Sequence, residues 1–226
     1  MNTSQINLYK EIHLGMPQYG ASGAKYLSEI LLCISFLHPK SILDYGCGKG
    51  ILCDLIKQRF PDIQIYGYDP AIPGKDVLPI LSADLIICTD VLEHIPEAEL
   101  PAVIQEISLI SKNCFFALDH ALAGAILSNG ENAHCTIKPV HWYERLFSKY
   151  FSEMTVLHAP PSEPWKSVIL TFGVDVPFYR AYYDLIKPKK KISKLKMAKY
   201  LLLSKLTIGK TKERYLKKIS QFSTMG

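Results

Sequence analysis

A short apolar strand, Ser41-Ile42-Leu43-Asp44-Tyr45, breaks into Gly46-Cys47-Gly48-Lys49-Gly50 and then into a helical pattern, and no other stretch of the 226 residues constrains the fold as tightly. Glycine at alternating positions lets the chain turn sharply after the strand and approach a ligand with no Cβ in the way. The helix that follows offers free N–H groups to a carboxylate or phosphate. A second apolar strand, 63–68, ends in Asp69, about where a βαβ unit places the carboxylate that holds a ribose. The dinucleotide fingerprint needs Gly-x-Gly-x-x-Gly, and Gly46, Gly48 and Gly50 do not fit it. The segment reads as a nucleotide-cofactor loop of another kind.

Strand and helix patterns alternate around this loop. Apolar residues at helical spacing run over 24–37, and 51–60 is the first crossover helix, stopped by Pro61. The run 84–89 is almost wholly apolar, as in a strand buried on both faces of a parallel sheet. A helix over 97–111 leads to a strand at 114–118. A polar loop then precedes a helix over 139–150 with Trp142, Leu146 and Phe147 on its apolar stripe. Strands at 154–157 and 167–172, with no helix between them, suit an antiparallel hairpin. The expected fold is α/β, a doubly wound Rossmann-like sheet closed by that hairpin, with the ligand crevice at the carboxyl ends of the strands.

Charge divides the chain. Residues 1–179 carry 12 Lys and Arg against 19 Asp and Glu, whereas 180–226 carry 14 against 2. The expected organisation is therefore a domain over 1–179 and a basic helical tail over 180–226. No apolar run approaches the roughly 20 residues that cross a bilayer, and the start lacks a basic region with an apolar core, so the chain is expected in the cytoplasm. Six scattered cysteines without a Cys-x-x-Cys pair read as free thiols.

The segment Thr89-Asp90-Val91-Leu92-Glu93-His94-Ile95-Pro96 stands at the carboxyl end of a strand and so faces the crevice. Asp90, Glu93 and His94, with the distant His134, supply two carboxylates and two imidazoles, a set that suits Mg²⁺, Mn²⁺, Fe²⁺ or Zn²⁺. A structural role is the alternative, with Glu93 capping the next helix and His94 packed beside the cofactor. His120, at the end of the next strand, is a second candidate base. His13, His38, His141 and His158 belong to no motif.

The spacing Asp-x-Gly-x-Gly-x-Gly from Asp44 to Gly50, with Asp69, resembles the class I S-adenosylmethionine-dependent methyltransferases. That resemblance assigns Asp44 and the backbone of Gly46, Cys47, Gly48 and Gly50 to the cofactor's methionine moiety, and Asp69 with Pro70 to its ribose side. Asp90 also falls on the cofactor side. Only 14 residues separate Asp69 from Asp84, where the family fits a further helix, a strand and an adenine-binding acidic residue. The strand is expected to be shortened or lost, with Ser82 or Ala83 at the adenine edge. Tyr19 to Gly23 stands where such enzymes close a lid.

Asp-x-x-Glu-His followed by a histidine beyond the next strand is similar to the metal site of the small-RNA 3′-terminal 2′-O-methyltransferases, with Asp90 where those enzymes have Glu. Asn132-Ala133-His134 before an aromatic helix resembles the ubiquinone-pathway O-methyltransferases. The wider pattern also looks like bacterial methyltransferases of surface-polysaccharide assembly. The resemblance thus implies an O-methyltransferase acting on a hydroxyl of a glycan or other polyol. His94, His134 or His120 would serve as base, and Asp90, Glu93, His94 and His134 would hold a divalent metal. The alternatives are an RNA 2′-O-methyltransferase and a non-catalytic cofactor-binding subunit of a membrane-associated assembly.

Over 187–218 lysines alternate with leucine, isoleucine and tyrosine at helical spacing. An amphipathic helix on an anionic membrane or glycolipid surface, peripheral to the inner membrane face, accounts for both features. A helix docked on the domain or in a dimer is the second reading. Nucleic acid comes third, because the interleaved residues are aliphatic and offer little stacking.

Overall fold

In the computed structural model the described residues are 3–16, 18–20, 22–158 and 166–173. The chain divides between Gly173 and Val174, and every element below belongs to the first part. The tail expected over 180–226, with its proposed helix at 187–218, lies outside the described residues.

Helix α1 (Thr3–Gly15) opens the chain, followed by a short 3₁₀ segment (Ser22–Tyr26) and α2 (Leu27–Leu37). Then come β1 (Ser41–Tyr45), α3 (Ile51–Arg59), β2 (Gln64–Tyr68), β3 (Leu85–Thr89), a 3₁₀ turn (Leu92–His94), α4 (Leu100–Ile110), β4 (Cys114–Asp119), α5 (Val140–Phe147), β5 (Thr155–His158) and β6 (Lys166–Leu170). One six-stranded sheet has the order β2-β1-β3-β4-β6-β5. The first four strands are parallel, and β6 runs antiparallel to both β4 and β5. This is the Rossmann-like α/β sheet with a closing hairpin that the sequence pattern predicts.

The apolar run in β3 is buried at every position, because strands pair on both sides and helices cover both faces. Helix α4 presents Leu100, Val103, Ile104, Ile107 and Ile110 to the core at helical spacing, against Phe116, Tyr143 and Phe147. It begins three residues later than expected from 97. The Pro96 carbonyl accepts the N–H of Glu99 and of Leu100, so 97–99 form a turn, and Pro101 falls in the first helical turn where its missing N–H costs nothing. Helix α2 is likewise shorter than 24–37, because 22–26 winds as 3₁₀; its end is set by His38 in the left-handed region, φ 49°, whose N–H returns to Ile34 O at 2.9 Å.

Residues 70–84 form neither helix nor strand, leaving β2 at the sheet edge. A tight turn replaces the lost crossover, with the Asp69 N–H donating to Lys75 O and the Lys75 N–H to Ile72 O. Ala83 donates its N–H to Ile110 O at the start of β3. Ser82 and Ala83 thus stand at the end of the sheet opposite the crevice, and the expectation that they meet an adenine edge is corrected.

Candidate active site

The carboxyl ends of the parallel strands carry Asp44 in β1, Asp69 just past β2, Asp90 just past β3 and Asp119 in β4. All four line one cavity of about 500 Å³, in the size range of sites for cofactor-sized ligands. Its opposite wall is α1, which contributes Ile6, Tyr9 and His13 at helical spacing.

The glycine loop turns where a side chain cannot. Gly46 and Gly48 have φ of 81° and 51°, and an added Cβ would lie 2.2 Å from Val91 Cγ2 or 2.3 Å from Gly20 O. The loop's own N–H groups are spent internally: Gly46 and Cys47 on Tyr68 O, Gly48 on Asp69 Oδ2, Lys49 on Gly20 O and Gly50 on Cys47 O. Gly50 caps α3 and does not line the cavity. Asp69 accepts the Gly48 and Ala71 N–H groups at 2.9 Å each, one on each carboxylate oxygen, so the loop and the carboxylate fix one another. Pro70, Ala71 and Tyr68 line the wall beside it. Asp44 is 2% exposed and receives the Cys53 thiol at 3.4 Å, and burial pushes its carboxyl up to about 7.

Asp90 does not join the acidic and histidine cluster. It sits in the left-handed region at φ 53°, and both carboxylate oxygens turn to the 3₁₀ segment, one 2.5 Å from Lys25 Nζ and the other 3.2 Å from the Tyr26 hydroxyl that donates to it. The other three predicted ligands do converge. Ligand atoms of Glu93, His94 and His134 lie within 4.8 Å of one another. Glu93 is fully buried; its Oε1 accepts the Asp119 N–H at 3.1 Å, while its Oε2 has no partner. Burial, reinforced by Asp90, drives the Glu93 carboxyl well above its ordinary range.

The histidines are set in matching ways. His94 Nδ1 lies 2.8 Å from Ala133 O, and His134 Nδ1 lies 2.6 Å from Ala121 O. A carbonyl only accepts, so each neutral ring carries its proton on Nδ1 and keeps a lone pair on Nε2. Tyr9 completes the support, donating its hydroxyl to Ala133 O at 2.7 Å and stacking edge-on to His94 at 5.3 Å. Burial, with His134 beside it, lowers the His94 imidazole from 6.5 to about 4. Between those values the unfolded chain binds more protons than the folded one, so stability falls as pH falls through that window. Chemical denaturation at pH 7 and pH 5 should show this loss in the wild type and a smaller one in His94→Gln; equal losses would mean that His94 does not titrate there.

His120 is not a base in this cavity. Its nitrogens lie 2.6 Å from Lys138 O and 2.6 Å from Ser167 Oγ, tying β4 to the loop before α5 and to β6, and it does not line the site. The sequence reading missed Tyr9, His13 and Lys25. The signal for the first two was a stripe at i, i+3 and i+7 in α1, from Ile6 through Tyr9 to His13. Lys25 is the cation among the lining side chains.

Residues 20–148, more than half of the chain, match the family model described as a methyltransferase domain. The chain belongs to that family. The methyltransferase is similar in fold to a candidate O-methyltransferase of Nostoc punctiforme, with a TM-score of 0.51 at 16% identity over 72% of this chain and 59% of that one. It is 36% identical over 52 residues to trans-aconitate 2-methyltransferase of Yersinia pestis, which is 23% of this chain and a 20% share of that relative's length. The chain therefore spans only part of both. The fold is the Rossmann-like sheet shared with the Nostoc punctiforme structure, with the cavity at the carboxyl ends of its parallel strands. Among the described residues no helix is long and apolar enough to cross a membrane.

Proposed function

We propose that the chain is an S-adenosylmethionine-dependent O-methyltransferase acting on a neutral acceptor with adjacent hydroxyls, a glycan or other polyol, with a divalent ion held by Glu93, His94 and His134. The observation that carries this reading is the convergence of Glu93, His94 and His134, whose ligand atoms lie within 4.8 Å of one another, with Glu93 Oε2 unpartnered and both histidines on the wall of the cavity that the glycine loop and Asp69 line. The donor set fits such an ion. Each histidine is oriented by a backbone carbonyl, the second contact that metal-binding imidazoles ordinarily have. A buried carboxyl that burial alone would neutralise is kept ionised by an adjacent dication.

When bound, such an ion lowers the pKa of an acceptor hydroxyl and fixes its direction. The chain's own residues do the rest. Asp69 accepts from the ribose hydroxyls. The trio sets where the acceptor oxygen stands relative to the methyl, and alignment is most of what a cationic sulfonium donor requires. In a second reading, without an ion, the lone pair on His134 Nε2 accepts the acceptor's proton.

Charge in the cavity favours a neutral acceptor over RNA. Asp69, Asp90 and Asp119 line it against one lysine, Lys25, which Asp90 already pairs, and a polyanion gains little there. Incubating the full chain with methyl-labelled S-adenosylmethionine, a divalent ion, and separate panels of neutral vicinal diols and RNA 3′ ends tests this. Label is expected in the diols. Label in RNA alone would replace the acceptor class.

The tail over 187–218 is proposed to bring the chain to anionic membrane surfaces. The full chain should sediment with anionic liposomes, less so at high salt, and a chain ending at Val176 should not. Equal sedimentation would remove that partner.

A further inference from the structure

We propose that His13 of α1 binds the ribose diol of the cofactor together with Asp69, beside the glycine loop. The inference rests on the cofactor reading above and adds a binding residue from outside the methyltransferase core.

The imidazole lies against the loop. An added Cβ at Gly20 would stand 2.5 Å from His13 Cε1, 3.0 Å from its Nδ1 and 3.3 Å from Gly48 Cα. Gly48 in turn donates its N–H to Asp69 Oδ2 at 2.9 Å. His13 and Asp69 thus both lie near Gly48, and all three line the cavity. The ring is held in place by Tyr19, edge-on at 5.0 Å, and by α1, which Tyr9 anchors to Ala133 and Glu11 to Ser128.

His13 Nδ1 is nevertheless buried without a hydrogen-bond partner. Such an atom is costly to leave unmade and marks where a ligand atom is missing. Burial lowers the His13 pKa, and a neutral imidazole offers one donor and one acceptor. A carboxylate or phosphate needs donors and is repelled by the neighbouring Asp69. A diol fits both groups: its hydroxyl protons go to Asp69, which can only accept, and its oxygens take the imidazole N–H. The resting contacts of Asp69 with Gly48 and Ala71 use one lone pair on each oxygen and leave others for the diol.

The test is calorimetry on the full chain with S-adenosylhomocysteine and its 2′-deoxy and 3′-deoxy analogues, using wild type, His13→Ala and His13→Gln. His13→Ala should bind S-adenosylhomocysteine about tenfold more weakly, the loss of one hydrogen bond to a buried group. At least one analogue should bind wild type about tenfold more weakly, and that same analogue should lose no more than about twofold further in His13→Ala. His13→Gln, which keeps a donor and an acceptor, should recover part of the affinity. In the wild type, the nitrogen resonance of His13 Nδ1 should shift on adding S-adenosylhomocysteine and shift less with that analogue. Losses that simply add, or an unmoved resonance, would overturn the proposal while leaving the cofactor reading intact. No binding of S-adenosylhomocysteine by the wild type would overturn the cofactor reading itself.

Discussion

Chelating divalent ions from the full chain is expected to lower methyl transfer about a thousandfold while leaving affinity for S-adenosylhomocysteine within about twofold. The size follows from what an ion does to an alcohol: Lewis-acid stabilisation worth several kcal/mol is about three powers of ten in rate. Selectivity follows from the geometry. Glu93, His94 and His134 come from the turn after β3 and the loop before α5, whereas the glycine loop and Asp69 follow β1 and β2. Removing the ion leaves the cofactor's proposed contacts in place. Glu93→Gln should reproduce the loss, because it keeps the Oε1 that accepts the Asp119 N–H and removes the charge. Transfer that survives chelation would transfer the role of the trio to the His134 imidazole as base, and His134→Ala would then remove activity that chelation does not.

Asp69→Ala should weaken cofactor binding by about 1.5–3 kcal/mol, roughly ten- to a hundredfold, from the lost hydrogen bonds to a charged acceptor. The same substitution frees the Gly48 and Ala71 N–H groups, so a drop in thermal stability should accompany it. Asp69→Asn keeps an acceptor but replaces charge with an amide, and should fall between the two. Calorimetry and thermal melting on the three proteins check both effects. Unchanged affinity in Asp69→Ala would place the ribose elsewhere in the cavity.

Much of the sheet was legible because parallel strands buried on both faces are written as short apolar runs, as β3 is, and because glycines with positive φ mark the turn after β1. The hairpin was legible from two strands with no helix between them. Residues 70–84 were half legible: their shortness announced a missing strand, but shortness says nothing of which end of the sheet they reach, and Ser82 and Ala83 were assigned to the wrong one.

The site divides similarly. Glu93, His94 and His134 share a spacing and a place after neighbouring strands, so their convergence could be expected. Asp90 could not be separated from them by spacing. A left-handed backbone and two partners from the segment before α2 turn it away, and both are long-range facts. His120 stood at a strand end like a base, yet its fate was decided by Ser167 in a strand far along the chain. Helix α1 carries its stripe faintly, with Tyr9 and His13 among polar neighbours, and its covering of the cavity is a tertiary outcome.

The most direct measurement is a calorimetric titration of S-adenosylhomocysteine into the full chain. One molecule is expected to bind per chain, with a dissociation constant in the range of about 1 μM to 1 mM that enzymes commonly show for their substrates. The complex should have His13, Asp69 and the glycine loop in contact with the nucleoside. A chain that takes up no S-adenosylhomocysteine at millimolar concentration would contradict the account at its centre.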